Sequence, residues 1–309
     1  MIYIADTRDF WIKEPAIVTL GKFDGRHRGH QKLLRTMMER KEKTGYATAV
    51  FTFSPDWSAG RAGLPQTVIT TSQERRANME KMGIDYLVEY PFTEETRHMK
   101  PQDFVREMLA GRMNAKEIVV GPDCSFGYQG AGDVKLLEEM AEKLGFQVYV
   151  IQKEQDLQRD ISSTYIREEL DQGNVEKANA LLGEPYAIHG TVVHGNHMGG
   201  SVLGFPTANL LPPSIKRLPR FGVYASQVVL EGKIYQGVTN IGRKPTVEGE
   251  NPVGVETFLF DWSGDIYGKS IEVQLLSFIR PEKKFGSLEE LKEQIAQDQS
   301  AAAAYFQEK

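Results

Sequence analysis

Ile17-Val18-Thr19-Leu20-Gly21-Lys22-Phe23-Asp24-Gly25-Arg26-His27-Arg28-Gly29-His30 is the stretch from which the fold of the first half can be read. Residues 17–20 are apolar or β-branched and predict a short buried strand, and Gly21 and Gly25 interrupt it. From His30 to Arg40 the apolar residues Leu33, Leu34, Met37 and Met38 fall on one side of a helix. The N–H groups of a helix's first turn have no partner within the helix and carry partial positive charge, so a strand–glycine turn–helix unit suits a phosphate. His27 and His30, three residues apart, can point to one spot. There, as imidazolium or as neutral donors, they would stabilise charge on a transferring phosphate.

Working outward, strands are predicted over 47–53, 86–88, 118–120 and 148–151. Helices are predicted between them. One begins at a capping box, Thr71 to Glu74, and stops at Gly83; one spans 101–109; one spans 134–144 and ends at Gly145. This alternation predicts a Rossmann-like parallel sheet covered by helices, with ligands beyond the carboxyl ends of the strands. After about Tyr186 the rhythm changes. Strands at 188–193, 222–230, 233–240, 255–262 and 271–278, with turns at Glu231-Gly232 and Ser263-Gly264-Asp265, predict a small antiparallel barrel. A final helix is predicted over 287–304, with Ser287 and Glu290 spaced as a capping box. A helical stretch over 166–182 separates the two patterns, and the expected domains are 1–183 and 184–309.

The chain has 309 residues, 40% hydrophobic and 26% charged, as in ordinary globular protein. A net charge of −5 argues against nonspecific nucleic-acid binding, which needs clustered positive charge. The single cysteine, Cys124, excludes an intrachain disulfide and a Cys-rich zinc site. The start carries no secretory pattern and no apolar run approaches the ~20 residues a bilayer requires. The expectation is a cytoplasmic protein with small-molecule substrates, no nucleic-acid partner and no membrane; no oligomer interface is readable.

A second segment of the first half, Ile161-Ser162-Ser163-Thr164-Tyr165-Ile166-Arg167, puts three hydroxyls before a helix, where one would suffice for a cap. An arginine near a helix N-terminus opposes the dipole, which makes an anion partner reasonable. Together the two segments resemble the nucleotidyltransferases that carry HxGH and ISSTxxR motifs, and in particular the FMN adenylyltransferase half of prokaryotic FAD synthetases. Phe51-Thr52-Phe53-Ser54-Pro55 and Gly121-Pro122-Asp123-Cys124-Ser125-Phe126-Gly127 extend the likeness. The resemblance implies ATP handling by Gly21, Phe23, Asp24, His27, Gly29, His30, Ser163, Thr164 and Arg167, with His27, His30 and Arg167 catalytic. It implies a flavin bordered by Phe53, Asp123 and Phe126. This chain departs from the family's pattern at Asp56-Trp57, after Pro55, and at Tyr128.

In the second half, Gly190-Thr191-Val192-Val193-His194-Gly195 and Leu203-Gly204-Phe205-Pro206-Thr207-Ala208-Asn209 hold glycines that allow close backbone approach to phosphates. Thr207 and Asn209 would share one face of an extended segment and offer hard oxygen ligands suited to Mg²⁺; the alternative is a capped turn after Pro206. Glu256, in an apolar strand, is a candidate general base for phosphoryl transfer. With Gly222-Val223-Tyr224-Ala225 and Asn240-Ile241-Gly242-Arg243-Lys244-Pro245-Thr246, these segments resemble a riboflavin kinase domain, a six-stranded barrel. The resemblance implies ATP binding at Gly190 and Gly195, Mg²⁺ at Thr207 and Asn209, and base catalysis by Glu256 on the ribityl 5′-hydroxyl. It places Arg280 and Phe285 near the flavin. Gly200 stands where the family has arginine, and Phe258 where it often has histidine. The whole chain then reads as a bifunctional enzyme that uses ATP to convert riboflavin to FMN and FMN to FAD, releasing pyrophosphate in the second step. The alternative is a paralogue with one of the two activities.

Overall fold

A computed structural model describes residues 1–54, 67–194, 207–243 and 253–307. Pro55, Asp56, Trp57, Gly195, Gly200, Lys244, Pro245 and Thr246 lie outside them. The chain forms two compact units, Met1–Ser163 and Thr164–Lys309.

The first unit is built on β1 (Ile2–Ala5), β2 (Ala16–Leu20), β3 (Ala47–Phe53), β4 (Tyr86–Tyr90), β5 (Ala115–Val120) and β6 (Gln147–Val150). All pair in parallel, in the order β1-β4-β3-β2-β5-β6. The central strand β2 is sealed on both faces: Ala16, Ile17, Val18 and Thr19 have no exposed surface. Alternate strand residues therefore feed two cores. Ile17, Val50, Leu87 and Val119 pack with Leu34 and Met37 of α1 (Arg28–Thr44) and Met79 of α2 (Ser72–Lys81). Val18, Phe51, Val88 and Val120 pack on the opposite side. There they meet Phe104, Val105, Met108 and Leu109 of a wide-turn π-helical segment, and Leu137 of a helix over Val134–Leu144. The capping box at Thr71 forms in both directions. The edge strand β1 was not expected from the sequence; it is four residues long, and none of its residues is fully buried.

Strand order reverses between β2 and β5. Their carboxyl ends run into Gly21–Gly29 and Gly121–Asp123, so the segments singled out in the sequence flank the position where open α/β sheets bind ligands.

A two-stranded hairpin, β7 (Gln155–Asp156) and β8 (Arg159–Asp160), leads to α3 (Ser163–Gln172). The stretch expected as one helix over 166–182 is two. Gly173 adopts a left-handed φ of 86° and separates α3 from α4 (Val175–Leu182), because a residue without a side chain reaches that conformation at no steric cost. In the second unit α4 packs on β14 (Ser270–Pro281) and β9 (Tyr186–Thr191).

These two strands join β10 (Thr207–Leu210), β11 (Gly222–Leu230), β12 (Lys233–Arg243) and β13 (Val253–Leu259) in an antiparallel sheet ordered β10-β13-β12-β11-β14-β9. A bridge between Val193 and Asn209 links its two edges, so the sheet curls into a barrel. Tyr224, Val228, Ile241, Val255, Leu259 and Val273 fill the inside. A hydroxyl chain crosses it: Ser226 Oγ to Thr239 Oγ1 at 2.7 Å, then Thr239 to Thr257 Oγ1 at 2.8 Å. On the outer face Val223, Ala225, Val238 and Phe258 receive Ala302 of the terminal helix α5 (Leu288–Gln307). Thr207–Asn209 is thus a strand, and the alternative of a capped turn does not hold.

Candidate active sites

At the switch point, the loop after β2 is held by buried polar contacts. Asp24 is buried and its Oδ1 accepts the Thr70 N–H at 3.0 Å; the Gly25 N–H donates to Thr70 Oγ1 at 3.0 Å. Gly21 donates its N–H to the Phe51 carbonyl at 3.1 Å. Phe23 is buried with a left-handed φ of 48° and lies 4.9 Å from the His30 ring. Gly21, Phe23 and Asp24 therefore build the loop, a task the motif alone did not distinguish from touching ATP. Ser163 Oγ donates to the Asp24 carbonyl at 2.5 Å, which joins the two sequence motifs. Thr164 and Arg167 follow in the first turns of α3.

His27 caps α1. Its Nδ1 accepts the His30 N–H at 3.3 Å, and the two rings stack at 3.7 Å. His30 Nδ1 lies 3.0 Å from the Gly25 carbonyl. A carbonyl only accepts, so His30 carries its proton on Nδ1 and has a lone pair on Nε2; His27 must carry its proton on Nε2. Burial drives the His27 pKa down to about 2, helped by the neighbouring His30. It drives His30 down to about 4, against the hydrogen bond to Gly25 and the charges of Asp24 and Asp123. Two neutral donors were one expectation; in the neutral pair only His27 Nε2–H can donate. A Cβ on Gly29 would sit 3.2 Å from His27 Nδ1, tighter than ordinary contact, so a larger residue there would press on the His27 ring.

Asp123 follows β5 and is exposed, with Oδ2 3.0 Å from Lys153 Nζ. Phe53 ends β3, in edge contact with Phe92 at 4.9 Å. Phe126 is buried against Phe104, 5.5 Å away, so it braces the Asp123 loop from the core.

On the barrel, cross-strand register brings the second set together. Asn209 of β10 lies opposite Glu256 of β13, and Glu256 lies opposite Asn240 of β12. Thr207 Oγ1 donates to Glu256 Oε1 at 2.8 Å, and Asn209 Nδ2 lies 3.3 Å from Thr207 Oγ1. These residues alternate with the interior set, so they occupy the outer face, in line with Phe258 and Phe260. Along that line Phe258, Phe260, Gln236, Gln299 and Phe306 border a cleft of about 650 Å³ between the barrel and α5. Gly190 lies within β9 opposite Ile271. Arg280 forms a two-pronged ion pair with Asp298 of α5, both distances 2.7 Å, and its guanidinium lies 5.8 Å from the Phe285 ring. Thr70, Lys153 and Asp298 were not foreseen, and Asn240 was quoted in a motif without its place opposite Glu256. The sequence spacing carries no signal for Lys153 or Asp298, whereas Thr70 adjoins a visible capping box.

No group of three or more His, Cys, Asp or Glu residues able to hold a metal occurs among the described residues. Thr207 and Asn209 fit Mg²⁺ in the manner of an ion held mostly by nucleotide phosphates and water, with few protein oxygens. The Thr207 hydroxyl donates its one proton to Glu256 and keeps lone pairs for a cation.

Comparison with known proteins bears on both units. The FAD synthetase family matches residues 9–165 and the riboflavin kinase family residues 182–306. A bifunctional riboflavin kinase/FMN adenylyltransferase of Bacillus subtilis (strain 168) is 38% identical over 296 residues, 94% of this chain and 92% of its own. The protein of that description from Escherichia coli (strain K12) is 36% identical over 299 residues, covering 95% and 94%. A solved Streptococcus pneumoniae chain described as a macrolide-efflux protein has a TM-score of 0.85 at 32% identity, covering 98% of each chain. Efflux is the description of that chain; among the described residues here, no helix is long and apolar enough to cross a membrane. Both families' motifs, two full-length relatives and the paired α/β and barrel units converge: the chain belongs to the bifunctional riboflavin kinase/FMN adenylyltransferase family.

Proposed function

We propose that the barrel phosphorylates riboflavin to FMN, with Glu256 as base, and that the parallel-sheet unit adenylylates FMN to FAD, with His27 and His30 on the ATP phosphates. The observation that carries the kinase assignment is the 2.8 Å Thr207–Glu256 contact beside Asn209 on adjacent strands. Thr207 engages one carboxylate oxygen and orients the other toward a substrate hydroxyl. That oxygen takes the proton of the ribityl 5′-hydroxyl as its oxygen bonds to the γ-phosphorus of ATP and ADP leaves. Mg²⁺ at Thr207 and Asn209 would neutralise charge on the nucleotide phosphates. The aromatic cleft beside α5, on the same face as Glu256, has the size and lining for the isoalloxazine ring. Arg280 pairs with Asp298 of α5, so its part is to hold that helix in place.

At the switch point, an FMN phosphate oxygen bonds to the α-phosphorus of ATP and the bond to the β-phosphate bridging oxygen breaks, releasing pyrophosphate. His27 Nε2–H donates to the phosphate, and His30 joins as a donor once a proton reaches its Nε2. Ser163, Thr164 and Arg167 present hydroxyls and a guanidinium at a helix start, where anions are favoured. The substrates are small molecules, and a cytoplasmic setting suits them.

The test is a time course with riboflavin, ATP and Mg²⁺, and a parallel reaction begun from FMN, with flavins separated by chromatography. FMN followed by FAD is the expected result. FMN without FAD in either reaction would refute the adenylyltransferase assignment. FAD formed only from added FMN would refute the kinase assignment.

A further inference from the structure

Lys153 lies just past β6, and its Nζ is shared between Asp123 Oδ2 at 3.0 Å and Asp160 Oδ2 at 3.2 Å. These carboxylates belong to two different segments. Asp123 follows β5 at the switch point, close enough to His30 for its charge to raise the His30 pKa. Asp160 ends β8 and comes three residues before Ser163, whose hydroxyl grips the Asp24 carbonyl. Gln155 donates to Asp160 Oδ1 at 2.9 Å, so the hairpin presents that carboxylate in a fixed pose. Pro122, Asp123, Gln152, Lys153, Gln155 and Asp160 line a cleft of about 370 Å³ at the carboxyl edge of the sheet. The hydrogen bond to Asp123, with a second to Asp160, holds the Lys153 ammonium above its ordinary pKa, so it stays charged while it bridges them.

We infer that Lys153 is a positioning residue for adenylyl transfer: it fixes the Asp123 carboxylate at the switch point and ties it to the hairpin that delivers Ser163. The inference rests on reading the first unit as the FMN adenylyltransferase centre with Asp123 against FMN. The Asp123 and Asp160 side chains are 69% and 43% exposed, and exposed ion pairs contribute little to stability. Geometry is then what the bridge supplies. An unheld Asp123 samples rotamers that do not meet the substrate, and misplacement of a binding group is felt in reactivity more than in folding.

The experiment compares full-length wild type, K153M, K153R, D123N and the D123N/K153M double variant. Adenylylation of FMN and phosphorylation of riboflavin are measured on the same preparations. Wild-type conversion of FMN to FAD establishes the underlying reading independently of any variant. K153M should then raise the KM for FMN about tenfold, with kcat little changed, riboflavin phosphorylation unaffected and Tm within about 2 °C. K153R should restore the KM, and the double variant should be no worse than D123N alone. The inference is overturned if the KM for FMN in K153M matches wild type, or if the losses in D123N and K153M multiply in the double variant. An equal loss of both activities or a larger fall in Tm would also overturn it, by making Lys153 a stability residue.

Discussion

His27 and His30 have the same side chain and opposite hydrogen-bonding roles, because one Nδ1 faces an N–H and the other a carbonyl. Both bind protons more weakly in the folded chain than the ordinary value of 6.5, with pKa near 2 and near 4. The unfolded chain therefore takes up protons at these positions as pH falls through about 6.5 while the folded chain does not. Their contribution to stability is intact above that pH. It is lost progressively toward pH 4 for His30 and further down for His27. Tm measured from pH 7.5 to pH 5 should fall, and H30Q should show a smaller fall than wild type across that range. Glu256 gives a second residue-scale prediction. E256Q keeps the contact to Thr207 but removes the base, and should lower kcat for riboflavin phosphorylation by about 10²–10³-fold. FAD formation from FMN should be unchanged in the same sample. The motif made the two histidines legible, but their proton positions depend on which atoms of the folded loop surround each ring.

Among the elements, those with local signals were legible in the sequence. The helix over Val134–Leu144 begins at Asp133, whose side chain caps it, and ends at Gly145 with a φ of 73°; both signals lie within a residue of the helix. The capping box at Thr71 is similarly local, and T71A should cost about 1 kcal/mol, read as a lower denaturant midpoint at unchanged slope. The helix break at Gly173 was missed, since an isolated glycine in a helical pattern does not fix where the chain turns. Strand β10 was ambiguous because its four residues gain their partners from β13, nearly fifty positions away. Helix α5 shows what pairing between elements adds. Arg280 on β14 and Asp298 on α5 clasp across the outer face, with side chains 20% and 7% exposed. D298A leaves that arginine charge without its partner. It should cost about 2 kcal/mol, below the cost of breaking a fully buried pair. Because α5 walls the aromatic cleft, the same variant should raise the KM for riboflavin, checked by initial rates at saturating ATP.

For the whole molecule, two chemistries on one chain share only a diffusible intermediate in the proposed scheme. Neither E256Q nor H30Q alone should convert riboflavin to FAD efficiently. An equimolar mixture of the two should do so, with FMN accumulating first; a mixture no better than either variant would require FMN transfer within one chain. Local patterns in the sequence determined the two architectures: alternating strands and helices up to residue 151, then short strands from about 186. Local hydrophobic period and turn chemistry act over a few residues, so they can be read without the fold. Which motif residues brace their loops and which pair with distant side chains was decided by tertiary structure. Asp24 and Phe126 turn inward and brace their loops, Arg280 is taken by Asp298, and Lys153 bridges two carboxylates from separate segments. Each of these outcomes depends on a partner distant in sequence, and only packing brings such partners within hydrogen-bond reach.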